Sequence, residues 1–158
     1  MMRIIILVLL LFCQPALSQE VEVVQFERIE KILKEDNPKL RIYNFWATWC
    51  RSCIIEMPYF EEIAKSKRDK VEMNFISLDY ADQVESTVKP FLKRKAITSR
   101  VYLIDNLDYN SWIDKVDPRW SGALPATVFI TPSGKKIFYE KEFKKEELEK
   151  IVESLLNQ

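Results

Sequence analysis

Two cysteines stand three residues apart in Cys50-Arg51-Ser52-Cys53, directly after Phe45-Trp46-Ala47-Thr48-Trp49. An aromatic, strand-like pattern ends here and a helical one begins. On a helix, i and i+3 lie on one face, so this spacing brings both sulfurs within bonding reach. The first turn of a helix also presents unpaired backbone N–H groups and a partial positive charge. Both favour a thiolate at Cys50, and Arg51 adds a neighbouring cation. The Cys50 pKa is therefore expected well below the ordinary value of about 8.5. Cys53, one turn further in, is expected to be less exposed and less reactive. The chemistry is then exchange: Cys50 attacks a partner disulfide, a mixed disulfide forms, and Cys53 resolves it, leaving Cys50–Cys53 oxidised. Run backwards, the same steps oxidise a dithiol. The pair is its own redox group, and no further cofactor is expected.

The spacing alone leaves two other readings open, half of a zinc site and an inert short-loop disulfide. Zinc needs two more ligands, usually Cys or His. The chain has no histidine, and its third cysteine, Cys13, lies in the N-terminal apolar run. No metal site is expected, and no nucleophile can pair with an imidazole. Only Gly122 and Gly134 occur, which excludes a Gly-rich phosphate loop. Twenty-four basic and 24 acidic residues give a formal charge of zero, so no basic field exists to attract nucleic acid. Lys67-Arg68 and Lys93-Arg94-Lys95 read as solvated helix faces.

The N-terminus has the order of a secretory signal: Arg3, then apolar Ile4 to Phe12, then Ala16-Leu17-Ser18. Residues 1–18 are expected to be a signal peptide and 19–158 the folded domain, with no stable transmembrane span in the mature chain. The apolar run is shorter than the roughly 20 residues of a membrane span. Retention by an uncleaved signal is less favoured. A lipid anchor at Cys13 is disfavoured by the bulky Phe12 before it, and a buried N-terminal strand or helix by the charged segment that follows. An exported chain, periplasmic or secreted, would keep Cys50 and Cys53 alone, in a compartment where disulfides turn over.

The elements that must position the pair follow from periodicity. Glu22 to Asp36 reads as an amphipathic helix through Phe26, Ile29, Ile32 and Leu33. Leu40 to Trp46 reads as a strand, and Arg51 to Lys67 as a helix kinked at Pro58. Val71 to Leu78 is a second strand. Asp82 to Lys95 is a helix that Pro90 bends or splits. A short strand, Val101 to Ile104, and a short helix, Asn110 to Val116, come next. Ala126 to Thr131 pairs with Lys136 to Tyr139 across Pro132-Ser133-Gly134-Lys135, and Lys144 to Leu156 closes the chain as a helix. The predicted order is α-β-α-β-α-β-α-β-β-α: an α/β fold with a mixed central sheet covered on both faces by helices.

Phe45-Trp46-Ala47-Thr48-Trp49-Cys50-x-x-Cys53, followed by Glu56-Met57-Pro58, resembles the thioredoxin-like superfamily, and within it the exported TlpA/ResA-type thiol–disulfide oxidoreductases. Ala123-Leu124-Pro125-Ala126-Thr127 resembles the segment that holds this family's cis-proline. The resemblance covers Leu40 to Leu156. It implies a thioredoxin-like fold with Pro125 cis beside Cys50–Cys53. It also implies that Leu124 offers its backbone to an extended partner segment, that Trp49 is an exposed platform beside Cys50, and that Trp46 is a core support. Trp112 and Trp120 are core residues or line a partner groove. Thioredoxin has a buried acid where this chain has Asn44, so the proton acceptor for Cys53 must lie elsewhere; Glu85 and Asp105 are candidates, though both read more naturally as surface charges.

The expected activity is exchange with protein thiols and disulfides, plus a redox partner that the sequence does not identify. The alternative is a non-catalytic binding module with a structural Cys50–Cys53 link. A thiol peroxidase fits less well, because Trp49-Cys50-x-x-Cys53 is not a peroxidatic setting. Arg51 stabilises the thiolate and pushes toward an oxidant, whereas the resemblance implies a reductant, which is the expected direction.

Overall fold

The computed structural model describes residues 20–106 and 108–158. The expected signal segment lies outside the described residues. Among the described residues six strands form in chain order: β1 Val21–Val24, β2 Leu40–Trp46, β3 Val71–Ser77, β4 Arg100–Ile104, β5 Ala126–Ile130 and β6 Lys136–Tyr139. The helices are α1 Phe26–Lys34, α2 Arg51–Ser66, α3 Lys89–Arg94, α4 Ile113–Val116 and α5 Lys145–Leu156. The strands form one sheet in the order β1-β4-β3-β2-β5-β6. Neighbours from β1 to β2 are parallel; β5 and β6 are antiparallel additions. The architecture is the mixed α/β sheet expected from the sequence.

β2 lies at the centre, buried along its whole length. Its side chains alternate between two cores, as strand geometry requires. Leu40, Ile42 and Trp46 join Met57, Phe60 and Ile63 of α2 and Leu148 and Val152 of α5. Tyr43 and Phe45 join Phe26, Ile29 and Ile32 of α1 and Val116 of α4. Asn44 shares its face with Ile42 and Trp46, so it points toward α2.

Three elements differ from expectation. The segment Val21–Val24 is a strand, not the start of a helix running from Glu22 to Asp36. Val21, Val23 and Val24 are β-branched, and β1 pairs with β4 from Val21↔Val101 to Val24↔Ile104. Edge pairing wins over the helical pattern, which governs only from Phe26 onward. The chain order is therefore β-α-β-α-β-α-β-α-β-β-α. The helix expected over Asp82 to Lys95 is divided into a 3-10 turn, Ala81–Gln83, a π turn, Val84–Val88, and α3. Pro90 stands in the first turn of α3, directly after the π turn. Asn110 to Val116 is likewise a 3-10 turn, Tyr109–Ser111, followed by the single turn α4. α2 runs as one helix through Pro58.

Candidate active site

β2 ends at Trp46, and α2 begins at Arg51 with Cys50 as its N-cap residue. The four residues between are held from two directions. Cys50 N–H donates to Ala47 O at 3.1 Å, closing a turn. Asp79, buried just past the end of β3, accepts from Thr48 N at 3.1 Å with each oxygen and from Thr48 Oγ1 at 2.6 Å. Ser77 Oγ donates to the same carboxylate at 2.7 Å and accepts from Asp79 N at 3.1 Å. This bracket ties the redox loop to the adjacent strand end.

Cys50 and Cys53 form a disulfide with an S–S distance of 2.06 Å and a Cα separation of 5.3 Å. Cys53 N donates to Cys50 Sγ at 3.3 Å, so a backbone N–H of the first helical turn points at that sulfur. Ser52 Oγ lies 3.5 Å from it. Cys53 is fully buried, while Cys50 retains 7% exposure. Trp49 is 65% exposed. Together with Arg51, Ser52, Ile55, Leu124 and Glu142 it lines an open groove around Cys50. The Leu124–Pro125 peptide bond is cis. Of the six residues singled out from the sequence, Trp49, Cys50, Arg51 and Leu124 line this groove; Cys53 is buried and bonded to Cys50, and Pro125 is buried directly after Leu124. Trp46 is fully buried; Trp112 and Trp120 are core residues in the cluster on the α1 face.

The carboxylates considered for Cys53 are elsewhere. Glu85 is exposed and paired with Lys89, and Asp105 is exposed beyond the end of β4. Two carboxyls of α2 are buried: Glu61, which accepts from Thr98 and Ser99, and Glu56, one helical turn after Cys53 and with no exposed surface. Asn44 Nδ2 donates to Glu56 Oε1 at 2.8 Å, and Phe143 N donates to Oε2 at 2.7 Å. Asn44 Nδ2 also donates to Thr127 Oγ1 at 3.0 Å, in β5 next to the cis-proline segment. Burial pushes the Glu56 carboxyl up to about 7, against the pull of the Phe143 amide and the Asn44 side chain. The motif Glu56-Met57-Pro58 contains this residue, but its charge alone suggests a solvated position. The available signal was spacing: Cys53, Glu56 and Phe60 lie at i, i+3 and i+7, on the buried stripe of α2.

A six-stranded mixed sheet with a disulfide at a strand-to-helix junction and a cis-proline directly after Leu124 of the same groove defines the thioredoxin-like class. Residues 31–156 match the Redoxin family, and the chain belongs to it. It is 33% identical over 109 residues to the thiol-disulfide oxidoreductase ResA of Bacillus cereus, covering 66% of this chain and 56% of that one. It is 35% identical over 82 residues to the thioredoxin-like protein YneN of Bacillus subtilis, covering 49% and 48%. The chain spans about half the length of these curated relatives. Among solved structures, a thioredoxin-family thiol:disulfide interchange protein from Chlorobium tepidum superposes with a TM-score of 0.64 at 23% identity, covering 80% of this chain and 84% of that one. A secreted disulfide oxidoreductase of Mycobacterium tuberculosis superposes with a TM-score of 0.59 at 19% identity, covering 76% and 84%. These two likenesses establish the fold.

Proposed function

We propose that the protein is an exported thiol–disulfide oxidoreductase that reduces protein disulfides. The observation that carries this reading is the Cys50–Cys53 disulfide at the start of α2, with Cys50 opening onto the groove and Cys53 sealed behind it. In the reduced protein the Cys50 thiolate attacks one sulfur of a partner disulfide. An S–S bond forms between Cys50 and the partner, and the partner's other sulfur leaves and takes a proton. Cys53 then gives up its proton and attacks Cys50 Sγ, releasing the partner's second thiol. The partner gains two electrons and the protein pair loses two.

On this reading Glu56 receives the Cys53 proton. It lies one turn beyond Cys53 on the buried side of α2, and a carboxyl titrating near 7 is matched to proton transfer at neutral pH. The groove beside Leu124 and Pro125 fits an extended partner segment whose backbone pairs with that of Leu124. Trp49 and Arg51 stand on its rim. Export is supported by the charged, apolar, small-residue order of residues 1–18. Among the described residues no helix is long and apolar enough to cross a membrane.

The test is a Cys53→Ala variant expressed with its leader, which stops the reaction at the mixed disulfide. Disulfide-linked partners are expected on Cys50, released by dithiothreitol, together with reduction of insulin by the unaltered protein. An empty trap and an unreduced insulin disulfide would leave only a binding module with a structural Cys50–Cys53 link.

A further inference from the structure

A recess of about 120 Å³ is walled by Trp49, Leu78, Tyr109, Ile113, Trp120 and Leu124. Trp49 and Leu124 also wall the groove that holds Cys50, so the recess and the groove are neighbours that share two walls. Their linings differ in kind. The groove carries Arg51 and Glu142, whereas among the described residues no charged side chain lines the recess. Gly122 completes the wall with φ +93°, and a Cβ there would come 3.7 Å from Ile113 Cδ1, narrowing the space.

The far wall is built and braced. Trp120 Nε1 donates to Ala123 O at 2.9 Å, and its ring packs 4.8 Å from Phe45 and 5.8 Å from Trp112. Trp112 in turn stacks on Phe26 at 5.1 Å. Ser121 N and Ala123 N both donate to Glu140, at 3.1 and 3.0 Å, fixing the strip between Trp120 and Leu124. A recess held open by such packing is preorganised for an apolar occupant. Its volume is close to that of an apolar cavity of roughly 150 Å³ that admits benzene.

Resting on the oxidoreductase reading, we infer that this recess is a side-chain subsite of the redox groove. It receives one bulky apolar side chain of an extended substrate segment. That residue stands within two positions of the cysteine that reacts with Cys50, because the shared walls lie beside Cys50 and an extended chain advances about 3.3 Å per residue. Substrates are thereby selected by an apolar neighbour of their cysteine.

The experiment uses the reduced protein and single-cysteine peptides carrying glutathione as a mixed disulfide. The reaction yields oxidised Cys50–Cys53, the free peptide thiol and glutathione. Leu or Ser is placed in turn at each of the two positions on either side of the peptide cysteine, and single-turnover rates are compared. Leu at one position is expected to react about tenfold faster than Ser, the scale of one buried apolar group. Ile113→Trp, which fills the recess, brings that Leu/Ser ratio toward one. Ile113→Ala, which enlarges it, moves the preference from Leu to Phe or Trp and keeps the test open should the larger residue prevent folding. Equal rates for Leu and Ser at all four positions, or a ratio unaltered by the Ile113 substitutions, would overturn the subsite. Failure of every peptide and of glutathione disulfide to oxidise the pair would instead overturn the oxidoreductase reading, and the subsite with it.

Discussion

Asn44 of β2 donates its side-chain amide to Glu56 of α2 across 2.8 Å, joining the central strand to the helix that carries both cysteines. The bond lies entirely in the interior, since neither residue has exposed surface. It stabilises the charged form of a carboxyl that burial otherwise drives toward the neutral one. Asn44 therefore adjusts the acidity of Glu56, at the strand position where the thioredoxin pattern has an acid of its own.

Removing that carboxyl slows the resolving step. In Glu56→Gln nothing equivalent accepts the Cys53 proton. Decay of a preformed Cys50 mixed disulfide is expected to fall by about 100-fold near pH 7, the ordinary yield of positioned acid–base catalysis. Its pH profile also loses the inflection near 7. In Asn44→Ala the carboxylate loses one donor, so the same inflection moves upward. Stopped-flow release of a chromophoric thiol from Cys50 measures both, and an unaltered profile in Glu56→Gln would remove Glu56 from the mechanism.

The same residue makes folding stability depend on pH. A carboxyl raised from its usual 4.5 to about 7 favours the neutral form in the folded chain. Its stabilising contribution is complete below about 4.5 and is lost as pH rises through about 7. The displacement corresponds to about 3 kcal/mol. Urea unfolding of the oxidised protein at pH 4.5 and 7.5, compared with Glu56→Gln, isolates this contribution. The difference between the two proteins is expected to shift against the unaltered chain by about 3 kcal/mol over that interval.

Much of this site was legible in order and spacing. Cys50, Cys53 and Pro125 announce themselves by motif, and β2, α2, β5 and β6 by periodicity. The rest was hidden because long-range pairing decides it. Val21–Val24 carries no Gly or Pro punctuation and runs directly into the apolar stripe of α1, so only its pairing with β4 reveals a strand. Asp79 reads as a turn residue after a strand; its hold on Thr48 exists because β2 and β3 end side by side, with Trp46 opposite Ser77. Glu56 was recoverable from the helical stripe alone. The recess was not, because its walls come from segments more than seventy residues apart.

The Asp79 bracket predicts a stability effect coupled to reactivity. Asp79→Ala leaves the Thr48 N–H and hydroxyl and the Ser77 hydroxyl without their acceptor. The expected cost is about 2–4 kcal/mol, read from the urea midpoint, since buried donors to a carboxylate are left unpaired. Asp79→Asn keeps one acceptor oxygen and is expected to lose less. The loop ahead of Cys50 also loses its anchor, so the Cys50 rate with a small disulfide falls in the same order: unaltered, Asn, Ala. A full-strength midpoint for Asp79→Ala would show that the bracket holds nothing.

The Cys50 thiolate is stabilised by the start of α2, where the Cys53 N–H points at its sulfur from 3.3 Å. In reduced protein carrying Cys53→Ala, thiolate absorbance is expected to give a Cys50 pKa well below about 8.5. Arg51 is exposed, so its share is small. Arg51→Glu is expected to raise the Cys50 pKa by no more than roughly one unit, most visibly at low salt. Losing thiolate stabilisation disfavours the reduced pair, so the reduction potential moves to a more negative value, by about 30 mV for each tenfold change in the exchange equilibrium. Arg51→Glu is thus expected to be a slower nucleophile at neutral pH and a slightly stronger reductant at equilibrium. A pKa at or above the ordinary thiol value in the Arg51 protein would mean that the helix start does not set the reactivity of Cys50.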